Sequence, residues 1–290
     1  ALVQAWAARD PRIRCLASPG VGLVAALNHG LAAARAEIVV RMDADDCMHA
    51  ERLARQWAHL RDDPSLTLSA TQVRAFPDDL LTTGFREYLR WQNACLTPAD
   101  LAEEIYVESP LAHPSVAFRR APVLALGGYR HGDFPEDYDL WLRLHCQGHR
   151  MAKLEAVLLD WRESAERTSR TDTRYARDAF DRLRARYLAR DPRLLARRDD
   201  FVIWGAGRRT RQRCAWLLEQ GFTPRAWVDI DPRKIGNRLA SVPVCPPAML
   251  DMPRRPFVLV YVTNHGAREA VAADLAARGY RRGQDWLAVG

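Results

Sequence analysis

The 290-residue chain has almost no lysine. Of its 43 basic residues only Lys153 and Lys234 are lysines, and the rest are arginine. A bias this uniform can be compositional, so arginine alone is not read as functional. No stretch of 18 residues is both apolar and free of charge, which excludes a transmembrane helix. The chain begins Ala1-Leu2-Val3 without methionine, and no basic segment precedes an apolar one. No signal peptide is visible, and the true start is expected to lie upstream. The six cysteines (Cys15, Cys47, Cys95, Cys146, Cys214 and Cys245) include no C-x-x-C pair. That excludes a zinc site or a disulfide framework and points to free thiols in a reducing, cytoplasmic compartment. No nucleic-acid recognition motif accompanies the basic charge, so nucleic acid is not an expected partner.

What is present is the balance of a soluble globular protein, 48% hydrophobic and 27% charged residues. The length fits two domains. The net charge of +7 is uneven. Residues 201–290 hold 14 basic and 7 acidic residues, whereas residues 1–161 hold 17 and 21. The excess therefore belongs to the C-terminal third, where phosphate or an anionic membrane surface is a plausible partner.

Residues 1–9 read as the end of a helix, broken by Asp10-Pro11. Arg12 to Leu16 could be a short strand, and Ser18-Pro19-Gly20-Val21-Gly22 a loop. Leu23, Ala26, Leu27 and Leu31 recur at helical spacing. Glu37 to Met42 reads as a strand ending in Asp43-Ala44-Asp45-Asp46, and His49 to Leu60 as a helix. Further on, Leu66 to Ala75 is strand-like, and Phe85 to Cys95, Pro98 to Glu104 and Asp137 to Gln147 are helical. Residues 162–198 carry 12 arginines and 6 acids with no glycine, which suggests a long charged helix or helix pair with a solvated face. From 201, Phe201 to Trp204, Arg225 to Val228 and Phe257 to Val262 alternate with helices, as in a parallel sheet.

Three carboxylates within Asp43-Ala44-Asp45-Asp46 repel one another unless a positive charge is near. Strand alternation would point Asp43 and Asp45 the same way, which suits two oxygen ligands on one hard cation such as Mg²⁺ or Mn²⁺. A helix N-cap is the alternative.

The segment from Gly20-Val21-Gly22 through Asn28-His29-Gly30, then Ile38 to Asp46 and Glu51-Arg52-Leu53-Ala54-Arg55-Gln56, strongly resembles the inverting family 2 glycosyltransferases of the GT-A fold. A second block agrees in order: His113-Pro114-Ser115 to Arg119, Gly127-Gly128-Tyr129, and Glu136-Asp137-Tyr138-Asp139-Leu140-Trp141-Leu142-Arg143. The resemblance covers about residues 1–160. The fold it implies is α/β: a GT-A-type nucleotide-diphospho-sugar transferase domain over 1–160, a basic helical linker over 161–200, and a small Rossmann-like parallel-sheet domain over 201–290.

The resemblance implies that Asp43 and Asp45 hold a divalent metal and the nucleotide-sugar, with Asp45 the foremost ligand and Asp46 behind them or capping a helix. It implies that Asp137 is the general base, with Glu136 orienting it or binding the acceptor. His113 could approach the metal or acceptor, or be structural. Arg143 could face the pyrophosphate of the donor, or pair with Asp139 one helical turn away. Trp141 could wall the acceptor or pack in the core, and Asn28 is structural. The family normally opens with a strand ending in P-x-Y-N that binds the base and ribose. Ala1 to Arg9 aligns with a later helix, so the expected sheet lacks its first strands and has an exposed edge.

Gly205-Ala206-Gly207-Arg208-Arg209-Thr210 places Thr210 where a dinucleotide-binding loop has its third glycine, and Asp229 lies near the position of a ribose-binding acid. With Val228 to Gly236 and Val242-Pro243-Val244, this resembles Rossmann-like domains of sugar-modifying enzymes. A nucleotide bound at Gly205, Gly207 and Asp229 is one reading, helped by Arg208, Arg209 and Arg211. An empty docking domain is the other. The function implied is inverting, metal-dependent sugar transfer from a nucleotide-diphosphate donor to a glycan or lipid-linked acceptor, in surface polysaccharide synthesis at the inner face of the membrane. The alternatives are a nucleotide-cofactor oxidoreductase or sugar-modifying enzyme centred on the C-terminal domain, or a non-catalytic sugar-nucleotide scaffold.

Overall fold

The computed structural model describes residues 2–17, 20–262 and 266–290, with the side chains of residues 168 and 169 excepted. The Ser18-Pro19 part of the expected loop lies outside the described residues. Two sheets organise the rest. The first runs β1 (Ile38–Val40), β2 (Cys47–Met48), β3 (Leu66–Phe76), β4 (Ala117–Arg119) and β5 (Arg150–Arg162) in chain order, arranged in space as β1-β4-β3-β5-β2. The second holds β6 (Phe201–Trp204), β7 (Ala226–Val228), β8 (Arg238–Leu239), β9 (Val242–Cys245), β10 (Phe257–Val260) and β11 (Trp286–Ala288), arranged as β11-β10-β6-β7-β9-β8.

In the first sheet β3 is the central strand, paired parallel to β5 and antiparallel to β4. Its residues Leu66 to Val73 are buried except for the half-buried Gln72. Such a strand must be apolar on both faces or find partners for its polar groups. Ser69 does the latter, its hydroxyl meeting His59 Nδ1 at 2.9 Å. In the second sheet β6, β7, β9, β10 and β11 are parallel, as the strand–helix alternation requires, and only β8 pairs antiparallel. The α/β class is thus the observed one.

The structure departs from the sequence expectations at three places. Residues 12–16 form no strand. The strand before the aspartates is three residues long and ends at Val40, so residues 43–46 lie on a turn closed by Asp46 N–H donating to the Asp43 carbonyl at 3.4 Å. Strand alternation therefore does not aim Asp43 and Asp45; the turn does. The 162–198 stretch is not a solvated linker. β5 continues to Arg162, short helical turns follow, and the helix Arg177–Leu188 buries Ala179, Asp181, Leu183, Arg184, Ala185, Tyr187 and Leu188. The periodicity of its arginines resembled a wet surface because burial was provided by elements far away in sequence.

Those elements are the segment around Tyr106 and the second sheet. Tyr106 donates its hydroxyl to Asp191 at 3.0 Å, and Gly290 N–H donates to the Tyr106 carbonyl at 2.8 Å. Arg184 donates to the Val107 carbonyl and pairs with Asp181. Arg282, just before β11, pairs with Glu104. One hydrophobic core runs across both sheets, from Leu101, Ile105 and Trp141 to Phe201, Leu259 and Leu287.

Within the first sheet, the helix Arg52–Asp62 buries Arg52 and Gln56 completely. Arg52 donates to the Arg41 carbonyl at 2.9 Å and to Gln56 Oε1 at 2.9 Å, and Gln56 donates to the carbonyls of Ser69 and Ser115. Burial lowers the Arg52 guanidinium to about 10. Removing the side chain leaves buried carbonyls and an amide unmatched as well as a void. Arg52→Ala is expected to lower unfolding free energy by on the order of 3 kcal/mol. Chemical denaturation read by far-UV circular dichroism checks this, and a loss under about 1 kcal/mol would contradict it.

Candidate active site

One cleft of about 840 Å³ gathers residues from both halves of the chain. Asp43, Asp45, Asp46, His113, Glu136 and Asp137 line it, together with Arg41 and arginines from 162 to 213. Asp43 to Asp46 and Glu136–Asp137 are 90 residues or more apart in sequence, and the sheet brings them to one opening.

The aspartate turn is set by its surroundings. Arg41 N–H donates to the Val116 carbonyl at 2.9 Å, and the buried Arg52 clips the Arg41 carbonyl from beneath. The Arg41 guanidinium pairs with Asp43. Arg162, at the end of β5, donates its backbone N–H to Asp46 Oδ1 at 2.8 Å and its Nε to the Asp45 carbonyl at 2.7 Å. The other Asp46 oxygen is out of contact with solvent and has no partner among the described residues. Burial, with Asp43 and Asp45 adding like charge, raises the Asp46 carboxyl to about 6 against the pull of the Arg162 N–H. Ligand oxygens of Asp43, Asp45 and Asp46 lie within 4.8 Å of one another. All-carboxylate oxygens this close suit a hard divalent cation, which would satisfy the orphaned Asp46 oxygen or offset its charge. The residues present therefore fit Mg²⁺ or Mn²⁺.

Across the cleft, Glu136 and Asp137 open the helix Glu136–Cys146, where the helix dipole favours acids. Glu136 is buried, and Tyr175 donates its hydroxyl to Glu136 Oε2 at 2.6 Å. Asp137 lines the cleft and is half-buried. Desolvation first, and the neighbouring Glu136 second, raise its carboxyl to about 7. A carboxylate poised there can accept a proton near neutral pH.

His113 lines the same cleft but does not join the aspartate cluster among the described residues. Its Nε2 meets the Tyr129 hydroxyl at 2.9 Å, and its Nδ1 lies 4.0 Å from Glu136. Burial, and then Arg41, hold its imidazolium form well below the usual range, so it is neutral. A neutral imidazole here contributes packing and a hydrogen bond with Tyr129. Arg143 is not among the residues lining the cleft: its Nε donates to Asp139 at 2.8 Å, and its other nitrogens donate to the Leu126 and Gly128 carbonyls. It ties down the Gly127-Gly128-Tyr129 turn instead of facing a donor. Trp141 is fully buried in the core. Asn28 bonds the Tyr129 backbone in both directions, at 2.8 and 2.9 Å, and Gly128, with φ +66°, lies so close to it that a Cβ would meet Asn28 Oδ1 at 2.5 Å.

In the second sheet, Gly205 has φ +110°, and a Cβ there would meet Thr210 Oγ1 at 2.8 Å. Thr210 therefore fills the space that a third loop glycine leaves open. Asp229 accepts from Ala206 N–H at 2.8 Å, Asp231 N–H at 2.9 Å and Lys234 Nζ at 3.1 Å. Its carboxylate is thus held by the protein at both oxygens. Gly207 is the N-cap of the helix Arg208–Leu218.

Nothing in the sequence singled out Tyr175. Tyr129 and the Arg52–Gln56 pair lie in the motifs named above, but nothing in their spacing said which face was buried or what they bond.

Residues 1–126 match the family described as glycosyl transferase family 2. Among relatives, the amylovoran biosynthesis glycosyltransferase AmsE of Erwinia amylovora is 31% identical over 166 residues, 57% of this chain and 60% of that protein. The UDP-Gal:alpha-D-GlcNAc-diphosphoundecaprenol beta-1,3-galactosyltransferase of Escherichia coli is 29% identical over 150 residues, 52% of each chain. The chain thus spans about half to three-fifths of the length of these relatives. A mannosyltransferase structure from Pyrobaculum calidifontis, in complex with GDP-Man and Mn²⁺, has TM-score 0.41 at 23% identity, covering 65% of this chain and 48% of that one. No helix among the described residues is long and apolar enough to cross a membrane.

The raised Asp137 carboxyl has a consequence for stability. Its folded pKa lies above the unfolded value, so the fold is penalised as the group ionises. The penalty is absent below about pH 4, grows up to about pH 7 and is constant above. Asp137→Asn is therefore expected to stabilise the protein at about pH 8 by on the order of 2 kcal/mol, with the gap closing toward about pH 4. Urea melts across that range check it, and a pH-independent difference would contradict the burial assigned to this carboxyl.

Proposed function

We propose that the protein transfers a sugar, with inversion, from a nucleotide-diphosphate donor to a glycan or lipid-linked acceptor in surface polysaccharide synthesis. The observation that carries this reading is the meeting of the aspartate turn and Asp137 at one cleft. The relatives named above, from polysaccharide and diphosphate-linked glycan synthesis, support the setting.

In this reading Asp43 and Asp45 hold a divalent cation, with Asp46 behind them. The cation's contribution is to offset charge developing on the leaving diphosphate. Arg41 keeps Asp43 in place, and Arg162 keeps the turn at Asp45 and Asp46 closed. Asp137 accepts the proton of the attacking acceptor hydroxyl. Glu136 is locked by Tyr175 and faces His113, so it positions the helix start that carries Asp137. Two carboxylate sets at one opening can hold donor and acceptor in line, which suits a single displacement and hence inversion. The basic segment after Arg162 and the sheet over 201–290 act as one structural unit with the catalytic part, through the shared core.

Donor turnover provides the test. Incubated with UDP- or GDP-sugars, the protein is expected to release nucleotide diphosphate only with Mg²⁺ or Mn²⁺ present. Asp45→Ala and Asp137→Asn should each lower kcat by roughly 10²- to 10⁴-fold. The wild-type rate should rise with pH through about 7, as Asp137 loses its proton. Metal-independent turnover, or turnover indifferent to both substitutions, would refute the reading.

A further inference from the structure

The cleft contains positive charge that the aspartates and Asp137 do not use. Arg177 opens the helix Arg177–Leu188, and Arg213 stands on the helix Arg208–Leu218 that packs against it. Both line the cleft, as does Arg184 between them in sequence. Arg184 is committed, since it pairs with Asp181 and donates to the Val107 carbonyl. Arg177 and Arg213 have no hydrogen bond and no ion pair among the described residues. Arg177 is exposed and Arg213 half-buried.

The groups acting on Arg213 are known. Burial first, then Arg184 and Arg177, disfavour its charge, while Asp181 and Glu108 favour it. Asp181 is already held by Arg184, and Glu108 accepts from Ser109 N–H at 3.2 Å. The last residue, Gly290, packs beside the Arg184 and Arg213 guanidiniums. Three arginines lining one cleft repel one another, and with Arg213 half-buried among them the place favours an anion. Arginine forks match phosphate oxygens in geometry as well as charge. Arg177 and Arg213 also border a smaller cavity of about 390 Å³ that none of Asp43, Asp45, Asp46 and Asp137 lines, which sets the anion they would meet apart from the diphosphate expected over Asp43 and Asp45.

We infer that Arg177 and Arg213 bind a phosphate or diphosphate group carried by the acceptor, at the seam where the second sheet's helix meets the cleft. This rests on the transferase reading for the word acceptor, but not for the anion site itself. The second sheet's unit then contributes directly to substrate binding, by lending Arg213 to a cleft otherwise lined by the first sheet's unit and the basic segment after Arg162.

Two probes separate the sources of phosphate. Inorganic pyrophosphate, titrated calorimetrically with EDTA present, reports the arginine site, because without metal the aspartates repel it. UDP and GDP with Mn²⁺ report the donor site. The expected result is pyrophosphate binding that Arg213→Gln and Arg177→Gln each weaken on the order of tenfold, with UDP and GDP affinity unchanged and the melting midpoint not lowered. Absence of pyrophosphate binding, or binding indifferent to both substitutions, would overturn the inference. An equal loss of UDP or GDP affinity would also overturn it, by placing the donor's diphosphate on these arginines. Failure of the transferase reading shows separately, as donor turnover insensitive to Asp45 and Asp137 with pyrophosphate binding intact.

Discussion

A guanidinium bonded to carbonyls and an amide, with no ion pair among the described residues, is buried at the point where the aspartate turn leaves the first sheet. Arg52 reaches the Arg41 carbonyl and Gln56, and Gln56 reaches Ser69 on β3 and Ser115 in the His113 to Ser115 turn. A buried charge of this kind is tolerated only where its donors are met. The pair therefore fixes three things relative to one another: the chain end before Asp43, the central strand, and the turn before β4. The carboxylate cluster can be held close only because its base is rigid; like charges on a loose loop would splay apart.

The opposite wall is held by the same logic with different groups. Glu136 is kept by Tyr175, from the segment following β5, while Asp139 and Arg143 of the same helix brace the glycine turn around Tyr129. Tyr187 donates to Asp139 at 2.6 Å from the next helix. The basic segment thus braces the site from behind, its helix Arg177–Leu188 packing against the helices Glu136–Cys146 and Arg208–Leu218. The excess positive charge of the chain is partly structural and partly turned into the cleft.

Much of this was legible in the sequence, and unevenly so. The central strand, most helices and the switch to a parallel sheet at 201 follow from hydrophobic periodicity, because burial of a face repeats along a single element. Three acids at the end of an apolar run marked Asp43 to Asp46 as a metal site or a helix cap, and only the resemblance to a family decided between these and picked out Glu136 and Asp137. The Arg143–Asp139 pair was legible as one of two readings, because it lies one helical turn apart; the partners of His113 and Asp229 were not. Each is decided by a hydrogen bond to a side chain or carbonyl whose position depends on the fold. The burial of 162–198 was hidden for the same reason, since arginine spacing alone cannot tell water from a neighbouring sheet.

The sequence by itself determined the kinds of chemistry available: oxygen ligands for a hard cation, a carboxyl at a helix start, and an α/β chain with free thiols. Only the tertiary structure decided which of these groups share one cleft, how deeply each is desolvated, and which arginines have no ion pair among the described residues. Local spacing sets the period and the residue type. Distance between residues 90 or more positions apart, and with it charge, burial and reactivity, exists only once the sheets have assembled.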